Sequence, residues 1–199
     1  MAKIKHTKNE LKAQRDALRR FERYLPTLQL KKQQLQLEVR QLDVLIREKR
    51  VEEENARAEL ASWVSLFSQD IDFSQYIHLR ALKQSVGNVA GVAIPVLDEL
   101  ALDTTVPDLF ETPAWLDDGL SVLEQLMRLR VERKILQEQQ RLLAEELRVT
   151  TQRVNLFEKV KIPEGREHIR VIRIFLGDQQ TAEVARAKIA KAKTLREDR

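Results

Sequence analysis

The sequence predicts an all-α protein, a long antiparallel two-helix coiled coil with a short β-hairpin and a loop in the middle of the chain. Gly and Pro together supply ten of the 199 residues, well below the roughly 12% of average proteins, which excludes folds built from many short strands and turns. Aromatic residues make up 5% and charged residues 33% of the chain, as is typical of long helices with narrow apolar seams. Apolar residues also recur at alternating steps of three and four, the spacing of a coiled coil.

The first helix is predicted from about residue 8 to about residue 75. No Gly or Pro occurs between Pro26 and Gly87, and thirteen of seventeen positions in two interleaved heptad series are apolar. The series are Leu11, Leu18, Leu25, Lys32, Val39, Ile46, Glu53, Leu60 and Phe67, and Gln14, Phe21, Leu28, Leu35, Leu42, Lys49, Ala56 and Trp63. Lys32, Lys49 and Glu53 break the apolar seam. A kink is expected near Pro26, because proline removes a backbone donor and crowds the preceding turn.

The middle segment, residues 76–114, predicts a β-hairpin followed by an acidic loop. An alternating run leads to Val86, a turn is expected over residues 87–91, and Val92, Ile94 and Val96 alternate after it. Glycines in the turn, Gly87 and Gly91, are expected to permit positive φ. Since an isolated hairpin is marginally stable in water, this one should pack on the coiled coil or on another protein.

Three apolar residues in the acidic loop, Leu109, Phe110 and Trp115, could have either of two roles. They could pack internally, or they could dock a partner. Residues 97–118 hold seven Asp or Glu and no Lys or Arg, so the loop differs sharply in charge from both ends of the chain.

The second helix is predicted from about residue 115, with Thr112 as a possible N-cap and Pro113 at the first helical position. The sequence therefore divides into an N-terminal helix, residues 1–75, the connector, residues 76–114, and a C-terminal helix with a basic tail, residues 115–199. The heptad positions of this helix are Val122, Leu129, Leu136, Leu143, Thr150 and Phe157, with Leu126, Leu147 and Val154 in the companion series, which Arg133 and Gln140 interrupt. A kink is expected at Pro163 and Gly165, after which Ile169, Ile172 and Leu176 resume the pattern.

The two seams are expected to pack against each other as an antiparallel hairpin, which one connector joins most economically. A parallel homodimer is the alternative. Basic residues dominate both ends, with eight Lys or Arg in residues 1–24 and six in residues 179–199. An antiparallel hairpin would bring these ends together, where they could meet an acidic partner. They could also be ordinary solvated surfaces.

No catalytic, cofactor-binding or metal site is predicted. The chain has no cysteine and no phosphate-binding Gly-x-x-x-x-Gly-Lys loop, and its three histidines are far apart in sequence. No apolar run approaches the ~20 residues of a membrane span, and no signal peptide is expected, so the prediction is a cytoplasmic protein. A basic coiled coil that binds nucleic acid, or serves as a scaffold, is the alternative function. Phe21, in a basic-aromatic stretch, falls on the seam and is therefore better explained as core than as a base-stacking platform.

The C-terminal half carries a recognisable motif. Residues 151–172 contain Arg-Val-Asn, then Glu, then Ile-Pro, at Arg153, Val154, Asn155, Glu158, Ile162 and Pro163. Together with the Thr7-Lys8-x-x-Leu11 start, the Leu- and Lys-rich stretch after it and the Ile94-Pro95-Val96 hairpin, this motif resembles the D subunit of the V/A-type rotary ATPases over almost the full length.

The resemblance implies a non-catalytic rotor shaft in the central stalk, coupling ATP synthesis or hydrolysis in a ring of A and B subunits to ion translocation by a membrane ring. It implies as further partners a small F subunit and the subunit that caps the membrane ring, and a location on the inner face of the membrane. The candidate contacts with the A and B ring are Lys3, Lys5, Lys8, Arg186, Lys188, Lys191 and Lys193. The candidate contacts with the F subunit or the membrane side of the stalk are Ile94, Pro95, Leu109 and Phe110.

Overall fold

The protein is two long helical stretches packed antiparallel with a two-stranded β-hairpin between them in sequence, as predicted. A computed structural model describes residues 4–60, 71–108, 110 and 112–197. The principal elements are α1 Lys8–Leu60, β1 Ile77–Val89, β2 Val92–Thr104, α2 Leu116–Leu156 and α3 Ile162–Glu197. By contacts, the chain divides into two compact units, one formed by Met1–Lys31 with Thr150–Arg199 and the other by Lys32–Val149.

Helix α1 follows the predicted heptad pattern closely. Thr7 caps its first turn, since the Thr7 hydroxyl accepts from the Glu10 backbone N–H at 3.2 Å. Its buried side chains all belong to the two predicted series: Leu35, Leu42, Glu53, Ala56 and Leu60. The helix continues through Pro26 as one element. The seam positions Trp63 and Phe67 lie outside the described residues.

A 3-10 helix, Phe73–Gln75, stands where the sequence predicted the last turn of the first helix. The Asp72 carboxylate accepts from the backbone N–H and the hydroxyl of Ser74, at 3.1 and 2.5 Å. These bonds favour a tight local turn over a further α-helical turn. Phe73 then packs in a small apolar cluster with Trp115 around Ile77, Leu116 and Leu120.

Helix α2 begins later than the predicted cap at Thr112 and Pro113. The Thr112 hydroxyl and backbone N–H both donate to the Asp108 carbonyl, at 2.6 and 2.9 Å, which places Thr112 in a turn that precedes the helix. A turn intervenes, in which the Leu116 N–H donates to the Pro113 carbonyl at 3.0 Å. The α-helix starts at Leu116, and the predicted N-cap is therefore wrong by about one turn.

The link between α2 and α3 is a π-helical turn, Phe157–Lys161, placed immediately before Pro163. The sequence predicted a kink here, but the chain stays helical into α3. Buried Val154 and Ile162 are eight residues apart, one more than a heptad, and the wider π turn takes up the extra residue. This turn explains why the apolar pattern resumes one position late, at Ile169 and Ile172.

The hairpin packs on the coiled coil within the unit formed by Lys32–Val149. Buried Ile94 joins Leu35 and Leu42 of α1 and Leu143 of α2 in one apolar cluster. The sequence predicted that the hairpin would pack on the coiled coil or on another protein, and within this unit it packs on the coiled coil. The Gln139 amide also donates to the Pro95 carbonyl at 2.5 Å, so both backbone and side chains fix the hairpin on α2.

The hairpin turn is shorter than predicted and uses different residues. Val89 pairs with Val92, leaving the two-residue turn Ala90–Gly91, with φ of 50° and 81°. Gly87 does not have positive φ, and its role is steric: a Cβ there would lie 2.8 Å from Cγ2 of Val96. The predicted five-residue turn is therefore wrong, since β1 extends through Gly87 to Val89.

Candidate interaction surfaces

Two of the charged residues that interrupt the α1 seam meet opposite charges on α2. Lys49 Nζ lies 3.1 Å from a carboxylate oxygen of Glu132. Glu53, with only 4% of its side chain exposed, lies 2.9 Å from Arg133 Nε. Arg133 itself interrupts the apolar series of α2, so a break in one seam faces a break in the other. A buried carboxylate is tolerated because a cation opposes it.

The Lys49–Glu132 and Glu53–Arg133 pairs form a polar layer between α1 and α2, which further contacts extend. Gln140, the other interruption in α2, donates a hydrogen bond to the carboxylate of Asp43 across the helices. Arg57 approaches Glu53 from the same helix at 2.6 Å. Hydrogen bonds to Glu52 and Glu132 raise the pKa of the Lys49 amine above its ordinary value. Since the contacts of Lys49, Glu53 and Asp43 with α2 match only in one alignment of the two helices, they can specify the register of the coiled coil.

The predicted basic residues at the two ends of the chain are exposed in the unit formed by Met1–Lys31 and Thr150–Arg199. Phe175 of α3 packs on His6, just before the start of α1, with ring centroids 4.8 Å apart. Beyond that contact, every residue from Gly177 to Lys193 is exposed, and we call this segment the basic tip. Its cations are Arg186, Lys188, Lys191 and Lys193. Lys5 and Lys8 are also exposed, whereas Lys3 lies outside the described residues.

The predicted contact residues of the hairpin and loop differ in exposure. Ile94 is 8% exposed and belongs to the internal cluster, while Pro95 beside it is half-buried. Phe110 is completely exposed, and Trp115 packs 6.5 Å from Phe73 between ring centroids. Trp115 therefore packs internally, as one of the two alternatives predicted, whereas Phe110 has no internal packing among the described residues and its contact with a partner stays a prediction. Leu109 lies outside the described residues.

The motif residues of α2 and α3 divide between the seam and the surface. Val154 and Ile162 are 3% and 7% exposed and pack in the seam. The other four are exposed, namely Arg153, Asn155, Glu158 and Pro163. Nearby, Phe21 and Phe157 pack with ring centroids 5.0 Å apart, so Phe21 is a seam residue, as its heptad position predicted.

A second apolar line runs along α1 and was not predicted from the sequence. Leu37, Val44 and Val51 are exposed by 57%, 46% and 54% and stand one heptad apart. Val44 and Val51 border a shallow groove together with Arg47, Glu48 and Glu52. The sequence contains this seven-residue spacing, but the two longer heptad series of α1 gave a stronger apolar signal.

The described residues contain no grouping of three or more His, Asp or Glu side chains suited to a metal ion. Across the same ranges, no helix has the length and hydropathy needed to cross a membrane. His6 packs on Phe175, and His168 is half-buried on α3.

Paired helices with exposed charged and apolar surfaces place the chain in the class of coiled-coil proteins. Comparison of the sequence with known protein families identifies the family within this class. The family model described as the ATP synthase D subunit matches residues 10–192, and the chain belongs to that family.

Several curated relatives match over nearly their whole length. The V-type ATP synthase D subunit of Borreliella burgdorferi is 46% identical over 199 residues, covering 100% of this chain and 98% of the relative. The V-type ATP synthase D subunit of Chlamydia trachomatis serovar L2 is 36% identical over 195 residues, covering 96% of each chain. That of Chlamydia felis is 34% identical over 198 residues, covering 96% of this chain and 94% of the relative.

Proposed function

We propose that this chain is the non-catalytic central-stalk subunit of a V/A-type rotary ATPase or ATP synthase. In this role it couples ATP synthesis or hydrolysis in a ring of A and B subunits to ion translocation by a membrane ring. Membership of the ATP synthase D subunit family supports the assignment to such a complex. The observation that carries the role is the basic tip, a helical segment in which every residue from Gly177 to Lys193 is exposed.

The length of the basic tip suits insertion into a surrounding ring. The basic tip, residues 177–193 of α3, follows the contact between His6 and Phe175, and seventeen helical residues extend about 25 Å. Its composition, rich in Ala, Lys and Arg, favours helix, but a helix of this length without tertiary packing is only marginally stable in water. Contacts with a surrounding protein would stabilise it.

The cations at this end are the proposed contacts with the A and B subunits. They are Lys3, Lys5, Lys8, Arg186, Lys188, Lys191 and Lys193. Exposed ion pairs contribute roughly 0–1 kcal/mol each, so a shaft held by several of them can exchange one set of partners for another as it turns. Different faces of one asymmetric chain would also bias neighbouring catalytic subunits toward different conformations.

The hairpin unit is the proposed site for the small F subunit and the cap of the membrane ring. The predicted contact residues are Ile94, Pro95, Leu109 and Phe110, of which Phe110 is fully exposed and Ile94 also supports the hairpin from within. The exposed line Leu37, Val44 and Val51 adds an apolar helix face in the same unit. The complex would hold the chain at the cytoplasmic face of the membrane without a span of its own.

Co-purification with A and B subunits from the same organism tests the function. We expect the wild-type chain to co-elute with a tagged A subunit, and the variant Arg186→Gln/Lys188→Gln/Lys191→Gln/Lys193→Gln to bind about tenfold more weakly. The matched control replaces four exposed cations elsewhere, Arg40, Arg130, Lys134 and Arg148, and should bind within about twofold of wild type. Failure of the wild-type chain to associate with A and B would refute the function.

A further inference from the structure

The two prolines that occur inside the long helices stand at neighbouring levels of the antiparallel pair. Pro26 lies within α1, and Pro163 is the second residue of α3, directly after the π turn. Phe21, just before the first proline, packs on Phe157, just before the second, with ring centroids 5.0 Å apart. Both prolines belong to the unit that contains the two ends of the chain. We call this level the proline level, and it comprises residues 21–26 and 157–166.

The backbone hydrogen bonding of α1 is interrupted at the proline level. Proline has no N–H, so Pro26 cannot donate to the carbonyl of Glu22 as a regular helical residue would. One residue later, the Thr27 hydroxyl donates to the Tyr24 carbonyl at 2.8 Å. A side-chain bond of this kind competes with the backbone bond of the helix and often bends it. The helix continues, but with weaker bonding than in a regular turn.

The opposite helix carries its own interruptions at the same level. In the π turn, the Ile162 N–H donates to the Phe157 carbonyl, five residues back instead of four. Pro163 follows immediately and has no N–H with which to continue the ladder of bonds. Gly165 comes two residues later, and glycine inside a helix is unfavourable because it loses the most backbone freedom on folding. Three features that weaken a helix thus fall within nine residues.

Side-chain packing is thin at the proline level as well. Among the described residues, the first buried side chain of α1 is Leu35, and no residue from 155 to 161 is buried. A shallow cavity of about 260 Å³ lies against this level, lined in part by Phe21 and Gly165. Few buried contacts and exposed backbone bonds are the features of segments that open locally.

We propose that the proline level is a flexible joint, at which the paired helices bend and twist more readily than at the levels before and after it. Prolines and π turns are the usual causes of helix bending. Here they occur on both helices at one level, so neither helix stiffens the other. The Arg166–Glu22 ion pair, at 2.8 Å, joins the helices through exposed side chains, which can follow such a movement without disturbing buried contacts. The inference concerns the chain itself and does not rest on the proposed function.

Amide hydrogen exchange of the full chain, followed by mass spectrometry and corrected for intrinsic rates, tests the joint. In the wild-type chain, amides of residues 158–166 should exchange at least about tenfold faster than those of residues 141–149 in α2. On α1, residues 22–30 should likewise exchange at least about tenfold faster than residues 36–44. Exchange at the joint that is as slow as in these regular segments would overturn the proposal.

Two substitutions should stiffen the joint, and a third serves as the matched control. A Cβ on Gly165 would lie 3.7 Å from Leu18 Cδ1, an ordinary contact, so Gly165→Ala should slow exchange of residues 158–166 about fivefold. Pro26→Ala restores a backbone donor and should slow exchange about threefold on both helices. Gly177→Ala makes the same change further along α3, where a Cβ would meet no other part of the described chain within 4 Å. It should change exchange at the joint less than twofold.

The variants give outcomes that decide the proposal. Equal slowing by Gly165→Ala and Gly177→Ala would overturn it, because the effect would then be general stabilisation of the helix. Slowing by Pro26→Ala that is confined to α1 would also overturn it, since the two helices would then open independently. Circular dichroism checks that each variant folds, and Gly165→Ala alone decides the matter if Pro26→Ala does not fold. Exchange is measured on the chain alone, so failure of the joint would leave the proposed function standing, and failure to associate with A and B subunits would leave the joint standing.

Discussion

At the scale of single residues, two exposed carboxylates are held by arginines three positions later on the same helix. Hydrogen bonds from Arg141 lower the pKa of Glu138, and hydrogen bonds from Arg170 lower the pKa of Glu167. The bonds are similar, with Nε–O distances of 2.9 and 2.8 Å and Nη2–O distances of 2.7 Å in both pairs. The two sites therefore form a natural comparison within one molecule.

We predict that Arg141→Gln raises the pKa of Glu138 toward its ordinary value of 4.5 and leaves the pKa of Glu167 lowered. A carboxylate whose pKa is lowered on folding contributes stability above its unfolded pKa, and loses it as the pH falls through the folded pKa. The wild-type chain should therefore lose this contribution as the pH falls below about 4.5. Both groups are exposed, so high salt should weaken the effect.

Side-chain carboxyl NMR shifts, followed from pH 7 to pH 2.5, measure both pKa values in one sample. Glu167 serves as the internal control, since it is remote from the substitution in sequence and its arginine remains. An unchanged Glu138 titration in Arg141→Gln would show that the Arg141 hydrogen bonds do not control its pKa in solution.

Local turn chemistry was the least predictable feature at this scale. Gly87 and Gly91 were both expected to have positive φ, but Ala90 takes one of the two positions. The reason is tertiary: Gly87 is needed where Val96 approaches too closely for a Cβ. A single sequence records that glycine is required but not whether backbone conformation or side-chain packing requires it.

At the scale of elements, the polar layer between α1 and α2 predicts that single and double substitutions change the free energy of unfolding very differently. Glu53→Ala leaves Arg133 without its buried counter-charge and should cost about 2 kcal/mol in the free energy of unfolding. Glu53→Leu/Arg133→Leu restores apolar seam positions and should have stability close to wild type or above it. Urea unfolding, followed by circular dichroism, gives these differences.

The neighbouring pair on α1 provides the control for this comparison. Glu54 lies 2.8 Å from Arg50, with 57% of its side chain exposed. Because exposed ion pairs contribute little, Glu54→Ala should cost less than about 0.5 kcal/mol. Equal losses in Glu53→Ala and Glu54→Ala would show that the buried layer gives no special stability.

The elements themselves were largely predictable because heptad periodicity is a strong signal. Leu35, Leu42 and Ala56 of α1 are buried at the positions that the pattern assigned to them. The pattern also identified Glu53 and Arg133 as breaks in the two seams. It could not pair them, because pairing depends on the relative register of two helices far apart in sequence. The π turn before Pro163 was not predicted either. The eight-residue step from Val154 to Ile162 is its only trace in the apolar pattern.

At the scale of the whole molecule, the basic tip is a segment that we expect to matter for assembly but not for folding. Its side chains bury little surface, since every residue from Gly177 to Lys193 is exposed. The seam that holds α3 to α1 includes Ile169 and Ile172, both buried before this segment begins. Folding of the paired helices should therefore be independent of the tip, whereas the proposed ring contact should depend on it.

We predict that removing residues 178–199 lowers the helical circular dichroism signal by roughly the share of the residues removed, with a change in Tm of less than about 3 °C. The small shift follows because few apolar contacts are lost. Co-purification with the A and B subunits should nevertheless fall below detection, while the four-site control on Arg40, Arg130, Lys134 and Arg148 still binds. A large fall in Tm would mean that the tip packs on the rest of the chain in solution. Retained association would place the ring contacts on the paired part of α1 and α3.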